Sequence, residues 1–294
     1  MTTAPPSSLA AVEVLPDHPP TSLAGAAPAI AKKSALRRLA AVRWATGVRR
    51  ASGLVAVLVL WQVAASAGWL GALLPTPVQV WDAARELTAS GELQQNLAAS
   101  VGRVAKGLAI GLSAGLVLGL VAGLFKAAED VVDPPLQALR MIPHLALVPV
   151  FIVWFGIGET SKVALILIGP LFPLYLNVLH GIRGVDSRLV EAATSFGLGR
   201  LEVIRRVILP GALPQIFVGL RQAIGVAWLT LVVAEMTAAP HGIGTLLSDA
   251  RDALRMDIIF VLLIIYALLG VATDLFVRLL EKRFLTWREG FAGV

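Results

Sequence analysis

The chain has 294 residues, of which 57% are hydrophobic and only 15% are charged. A soluble domain is about a quarter charged and its helices keep a polar face, so this composition excludes an ordinary soluble globular protein. No cysteine is present, which excludes disulfides, thiolate metal sites and cysteine nucleophiles. A net charge of +6 also occurs in nucleic-acid-binding proteins, but here the basic residues lie between long apolar blocks. That is the charge pattern of a membrane protein, and we expect no nucleic acid partner.

The first 50 residues differ in composition from the rest of the chain. Alanine and proline dominate up to about residue 30, and lysines and arginines follow between Lys32 and Arg50. The segment lacks the basic start and apolar stretch of a cleavable signal peptide. We therefore interpret residues 1–50 as a disordered, basic N-terminal tail.

Six apolar stretches approach the length of about 20 residues that a helix needs to cross a bilayer. They are predicted at about residues 53–70, 104–125, 138–156, 162–182, 212–236 and 257–279. Segments 71–98 and 237–256 contain prolines or glycines and are predicted as short surface helices instead. The sequence thus predicts an all-α polytopic membrane protein with about six transmembrane helices. Its membrane domain covers residues 51–283, and a C-terminal tail covers residues 284–294.

The distribution of lysine and arginine predicts the orientation. Basic residues concentrate in the N-terminal tail, in the loop between the fourth and fifth spans, and near the C-terminus. Because cytoplasmic loops carry the excess of lysine and arginine, both termini are predicted to lie in the cytoplasm. We expect a multi-pass protein of the plasma (inner) membrane.

The second predicted span carries a ridge of glycines, spaced every four residues. Its members are Gly107, Gly111, Gly115, Gly119 and Gly123. Small residues at this spacing favour close helix packing in lipid. Because four residues exceed one helical turn, the ridge is expected to wind around the helix and to serve more than one neighbour.

The loop at residues 183–210 is predicted to hold two short helices. Asp186 is a good N-cap and Gly197 a good helix stop, so a helix of about ten residues lies between them. Its apolar residues follow a helical spacing and form one stripe: Leu189, Ala192, Ala193 and Phe196. This stripe suits either docking on a partner or packing on the chain's own spans. A second helix is predicted from about Arg200 to Leu209, with Pro210 ending it and starting the next span.

The loop resembles the "EAA" motif of ABC importer permeases. Glu191, Ala192 and Ala193 match the start of the motif, Gly197 matches its glycine, and Leu209 and Pro210 match its end. The resemblance implies a type I ABC importer permease fold, in which this loop couples the membrane domain to an ATP-hydrolysing subunit. It assigns the coupling role to Leu189, Glu191, Ala192, Ala193, Phe196, Gly197, Leu209 and Pro210. The implied partners are two copies of a cytoplasmic ATP-binding subunit, an extracytoplasmic substrate-binding protein, a second copy of the permease and membrane lipid.

The resemblance extends from about Leu60 to Trp287 and points to the branch that imports sulfonates, taurine and nitrate. Three stretches are similar to aliphatic sulfonate permeases: Leu136–Gly156, Leu171–Arg183 and Trp228–Glu235. We therefore expect transport of aliphatic sulfonates by alternating access. Taurine, nitrate or a pyrimidine precursor remain alternative cargoes of the same machine. An ATP-independent secondary transporter is a further alternative, although no convincing inverted repeat is visible.

Motifs of enzyme chemistry are missing from the sequence. The stretch Gly156–Lys162 lacks the glycine that a phosphate-binding P-loop has before its lysine. The four histidines are scattered without metal-ligand spacing. We expect no catalytic residues, no metal and no cofactor, with ATP hydrolysis on a separate chain.

Three polar residues in the predicted spans are candidates for the substrate pathway. Arg221 lies about nine residues into the fifth span, where a charge costs about 2.5–3.5 kcal/mol unless it faces protein or water. It either lines the path of an anion or forms a structural ion pair. Glu235 closes the same span and is a candidate for gating or anchoring its outer end. His144 follows Pro143 and either lines the cavity or is an ordinary interior histidine.

Overall fold

A computed structural model describes residues 52–53, 55–68 and 71–285. The predicted N-terminal tail lies outside these residues, and so does the C-terminal tail beyond Leu285. The contacts divide the chain into two units, residues 1–60 and 61–294. Of the first unit the structure describes residues 52–53 and 55–60, which are helical. The helix packing and the charged clusters belong to the second unit.

The described residues form helices and turns, without a β-strand among them. In chain order the elements are α1 (Val55–Ser66), a 3₁₀ turn (Gly71–Leu73), α2 (Pro77–Ala89), α3 (Glu92–Leu124), α4 (Lys126–Arg140), α5 (His144–Phe155), α6 (Glu159–Arg183), α7 (Ser187–Ser195), α8 (Arg200–Val203), a π turn (Ile204–Ile208), α9 (Leu209–Ala238), α10 (Ile243–Asp252) and α11 (Met256–Phe284).

Four of the six predicted spans are helices long and apolar enough to cross a membrane. They are Glu92–Leu124, Glu159–Arg183, Arg200–Thr237 and Met256–Phe284. The first and third predicted spans correspond to shorter apolar helices, Val55–Ser66 and Ala146–Phe155. The third is interrupted because Pro143 is extended, with ψ of 128°, and serves as the N-cap of α5. The all-α, multi-pass architecture is thereby confirmed.

The glycine ridge of α3 contacts one helix, α6. A Cβ at Gly107 would overlap Ile166, and a Cβ at Gly123 would lie 2.7 Å from Ile182. The three glycines between them meet successive residues of α6 in the same order. The two helices therefore run parallel, and the nearest described atoms to every glycine of the ridge belong to α6. The ridge stays on one partner because α6 follows it around α3.

The opposite side of α6 packs equally closely against α9. A Cβ at Gly169 would lie 2.6 Å from the hydroxyl of Thr230, and a Cβ at Gly219 would lie 2.5 Å from Asn177. At this interface the Asn177 side chain donates to Gln222 at 3.0 Å and accepts from Gln215 at 2.7 Å. Such side-chain hydrogen bonds stabilise helix pairs in lipid. Buried between α3 and α9, α6 is the central helix of the described fold.

The second helix predicted in the 183–210 loop begins at Arg200, as expected, but does not end at Pro210. It continues to Thr237, with a π turn at Ile204–Ile208. The predicted break at Pro210 is therefore wrong. Pro210 is the second residue of the α-helical segment after the π turn, a position where the missing N–H costs little. Glu202 and Arg206, four residues apart on this helix, form an ion pair at 3.4 Å.

A single added methyl group tests the α3–α6 interface. A Cβ at Gly115 would lie 2.6 Å from the carbonyl oxygen of Leu171, a backbone atom that cannot move alone. We expect Gly115→Ala to destabilise the fold by about 1–3 kcal/mol, the usual cost of overpacking. SDS titration of the purified protein in mixed micelles measures this change.

Gly102→Ala on the same helix is the matched control, because a Cβ at Gly102 would meet no atom within 4 Å. Alanine has the higher helix propensity, so this variant should be neutral or more stable. Equal stability of the two variants would contradict the close approach of α3 and α6.

Candidate functional site

A cluster of buried charges joins α3, α6 and α9. The guanidinium of Arg103 donates to both carboxylate oxygens of Glu159, at 2.8 and 2.7 Å, and to Glu235 at 2.6 Å. Arg103 is 5% exposed and the Glu235 side chain is fully buried, whereas Glu159 is 54% exposed. Lys162, also buried, lies 3.7 Å from Glu159. Two cations and two anions thus balance in this cluster, so each buried charge has a partner of opposite sign.

The carboxylate of Glu235 also sits at the N-terminus of α10. It accepts from the backbone N–H of Gly244 at 2.9 Å and from the hydroxyl of Ser100 at 2.8 Å. The Ser100 hydroxyl accepts from the N–H of Ile243, and the Asn96 side chain accepts from Gly242. Side chains from α3 and α9 therefore satisfy the free N–H groups of this helix start. The negative carboxylate there is also favoured by the helix dipole.

These contacts give Glu235 an anchoring position. Its side chain touches α3 and the start of α10, and a Cβ at Gly242 or Gly244 would overlap it. A role in the substrate pathway stays a prediction. The other members of the cluster were missed at the sequence level. The signal available was that Arg103 and Lys162 stand at the beginnings of two predicted spans while Glu235 stands at the end of a third.

A second link joins α2 to α11 at the same end of the bundle. Arg255 donates to Glu86 at 3.0 Å and to Asp257 at 2.9 Å. The hydrogen bonds to Asp257 and then to Glu86 raise the pKa of the Arg255 guanidinium. Arg255 is consequently a permanent cation at this surface.

Arg221 lies in a charged group between α9 and α11. Its Nε is 3.0 Å from Asp274 and its Nη2 is 2.8 Å from Glu281. Asp274 also pairs with Arg278 at 2.7 Å. Arg221 is 40% exposed and lines a groove between the two helices. The structure thus shows the ion pair, and a role of Arg221 in the path of an anion stays a prediction.

His144 is the first residue of α5. Its side chain lies outside what the structure describes, so its predicted place in the pathway stays a prediction. In the described part of the chain no group of three or more His, Asp or Glu residues is arranged to hold a metal ion.

The helix α7 has well-defined ends. The Asp186 carboxylate accepts from the N–H of Arg188 at 2.9 Å, as an N-cap does. At the other end Gly197 has φ of +81°, its N–H donates to Thr194, and the N–H of Leu198 donates to Ala193. These two bonds form a Schellman motif, which needs the left-handed conformation that glycine adopts easily. The loop therefore presents a short, rigid helix.

The two faces of α7 differ in exposure. Val190 and Ala193 are half-buried, whereas Leu189 is 58% exposed and Phe196 is 86% exposed. Of the predicted stripe only Ala193 is half-buried, so the stripe contacts the rest of the chain at this edge. Leu189, Ala192 and Phe196 carry exposed apolar surface on a rigid helix, which favours docking over packing on the chain's own spans.

A family model described as "Binding-protein-dependent transport system inner membrane component" matches residues 115–286. The "Putative aliphatic sulfonates transport permease protein SsuC" of Escherichia coli (strain K12) is 50% identical over 238 residues, which cover 81% of this chain and 90% of that protein. The "Taurine transport system permease protein TauC" of the same strain is 36% identical, covering 80% of this chain and 87% of that protein.

A solved structure gives an independent comparison of the fold. The chain is similar to the "Crystal structure of an amino acid ABC transporter with histidines", with a TM-score of 0.55 and 19% identity. The match covers 68% of this chain and 97% of that one. The predicted type I ABC importer permease fold is thereby confirmed.

Removal of Arg103 tests the buried cluster. Arg103→Met should cost about 3–5 kcal/mol, because it leaves the fully buried Glu235 without its cation. Glu235→Gln should cost less, since Arg103 then keeps its two bonds to Glu159. SDS titration in mixed micelles ranks the variants.

Arg251→Met is the control, because Arg251 pairs with Asp252 on the surface, where both side chains are at least 60% exposed. Such a pair contributes at most about 1 kcal/mol. If Arg103→Met were no more destabilising than this control, the buried cluster would not hold the helices together.

Proposed function

The chain belongs to the family of binding-protein-dependent transport system inner membrane components, and on this basis we propose that it is the permease subunit of an ABC importer for aliphatic sulfonates. It forms the membrane pathway and does not itself hydrolyse ATP. An extracytoplasmic binding protein delivers the cargo, and a cytoplasmic ATP-binding subunit supplies the energy. Two permease chains and two ATP-binding chains make up the complex, and both permease termini lie in the cytoplasm.

The identity to the aliphatic sulfonates permease supports the cargo. It is 50%, against 36% for the taurine permease of the same organism, over nearly equal shares of this chain. Taurine is itself a sulfonate with an added amino group, so the anionic head group of the cargo is common to both relatives. An aliphatic sulfonate is therefore the cargo we propose.

The exposed apolar stripe of α7 is the observation that carries the coupling role. Phe196 is 86% exposed although it ends a helix that is fixed by caps at both ends. Burial of such a side chain in a partner groove stabilises a complex by about 1.5–3 kcal/mol. We assign α7, with Glu191 on its exposed surface, to the cleft of the ATP-binding subunit.

The long helix after α7 provides the mechanical connection. From Arg200 to Thr237 it spans about 57 Å at about 1.5 Å per residue, and it carries Glu235 at its far end. Motion of α7, driven when ATP closes the two cytoplasmic subunits, is passed along this helix to the cluster around Arg103. Opening and closing the two ends of the bundle in turn is alternating access.

Loss of the exposed phenylalanine tests the coupling role. Phe196→Ala should weaken co-purification with the candidate ATP-binding subunit about tenfold or more, because buried aromatic area is lost at the contact. The stability of the Phe196→Ala permease itself should not change, since the Phe196 side chain contacts little of its own chain. Co-purification in detergent and sulfonate uptake by cells are the two measurements.

Phe276→Ala on α11, where the side chain is 59% exposed, is the matched control and should keep the ATP-binding subunit. Glu191→Lys should lose it, because the substitution reverses a charge on the same surface. Retention by both Phe196→Ala and Glu191→Lys would refute the coupling role and favour an ATP-independent secondary transporter.

Arg221 is proposed to attract the anionic cargo. Arg221→Gln should reduce sulfonate uptake about tenfold or more, because a hydrogen bond to a charged group contributes about 1.5–3 kcal/mol. Arg221→Lys keeps the charge and should restore part of the uptake. Uptake is compared at equal membrane abundance and equal ATP-binding subunit content. Normal uptake by Arg221→Gln would leave Arg221 with a structural role alone.

A further inference from the structure

A groove of about 460 Å³ lies between α9 and α11. Leu247 of α10 lines one end, Arg221 and Asp274 line the other, and most of the wall is apolar. Binding pockets for small molecules have this volume and this mixture of apolar walls with a few polar groups. The groove therefore has room for a small amphipathic molecule.

Two glycines open the middle of the groove. Gly225 and Gly270 both line it, and a Cβ at either position would meet no atom within 4 Å. Phe217 packs against Phe284, and Arg221 pairs with Asp274 and Glu281, so the two helices run antiparallel. In the tightly packed α3–α6 and α6–α9 interfaces a Cβ at the facing glycines would clash. The space at Gly225 and Gly270 is thus left unfilled by the chain itself.

Three polar atoms on groove-lining side chains are shielded from solvent and have no hydrogen-bond partner among the described residues. They are the Nε of Arg221, the Nε1 of Trp228 and the hydroxyl of Tyr266. The indole N–H is a donor only, and the phenol O–H is a donor as well. No water satisfies such groups in the bilayer, so leaving them unpaired is costly. A ligand with acceptor oxygens removes that cost.

The charged end adds a cation at the same place. Arg221 donates a hydrogen bond from Nη2 to Glu281, whereas its Nε lies 3.0 Å from Asp274 without a hydrogen bond. Along α9, Arg221 lies about 6 Å on one side of Gly225, and Trp228 lies about 4.5 Å on the other. A sulfonate group beside Gly225 therefore lies between these two side chains along the helix.

We propose that this groove is a binding site for an alkyl sulfonate inside the membrane domain, which rests on the function proposed above. The sulfonate oxygens accept from Arg221, Trp228 and Tyr266 at the level of Gly225 and Gly270. The alkyl chain lies along the apolar wall towards Leu247. A side chain at Gly270 therefore takes the space of the sulfonate group.

The test compares uptake of radiolabelled ethanesulfonate and hexanesulfonate by the full transporter in phosphatidylcholine proteoliposomes. We expect Gly270→Leu to lower uptake of both sulfonates about tenfold or more, because the added side chain takes the space of the sulfonate group and removes its hydrogen bonds. Trp228→Phe and Tyr266→Phe keep the ring shape and remove a donor, so each should also lower uptake of both sulfonates. The binding protein is unchanged throughout, so a change in uptake belongs to the permease.

Gly102→Leu and Trp81→Phe are the matched controls, since a Cβ at Gly102 meets no atom and Trp81 is 67% exposed on α2. Wild-type uptake of both sulfonates by Gly270→Leu would overturn the proposal. Loss of the second permease copy in Gly270→Leu would also overturn the proposal, because it would assign the groove to a partner helix. Suppression of uptake by added phosphatidylglycerol in the wild type, and not in Gly270→Leu, would overturn it by assigning the groove to an anionic lipid. Wild-type proteoliposomes that take up neither sulfonate would instead refute the proposed cargo.

Discussion

The fold depends on the close approach of α6 to two neighbours at once. In lipid the hydrophobic effect does not drive helices together, so contact area and polar bonds must do so. The α3 glycines let the α6 backbone come within contact distance, and Gly169, Gly181 and Gly219 do the same between α6 and α9. Any side chain at these positions separates the helices, which explains why the membrane domain contains so many glycines.

This packing leaves little room for charge between the helices, and two charged clusters lie at their interfaces. One surrounds Arg103 and closes the bundle where α3, α6, α9 and α10 meet. The other surrounds Arg221, between α9 and α11. Both clusters include a residue of α9, and the same helix begins next to α7. A single long helix therefore contacts the exposed loop, the groove and the buried cluster.

The fold was largely predictable from the sequence, because apolar length and lysine and arginine placement are local signals. The caps of α7 were predictable for the same reason, since Asp186 and Gly197 act on adjacent residues. The contacts of Arg103 were not, because its partners lie 56 and 132 residues away and depend on how helices meet. The continuity through Pro210 was missed because a π turn leaves no sequence signal comparable to that of a proline.

The composition of the buried cluster has a physical consequence for movement. An apolar cluster of the same volume would hold the helices at least as firmly, because desolvation offsets most of the attraction in a buried ion pair. Arg103, however, is shared between Glu235, which is fully buried, and Glu159, which is 54% exposed. If α9 and α10 move away from α6, Arg103 keeps its two bonds to Glu159, and its own positive charge does not become unpaired. Shared partners thus lower the cost of separating helices that are otherwise tightly packed.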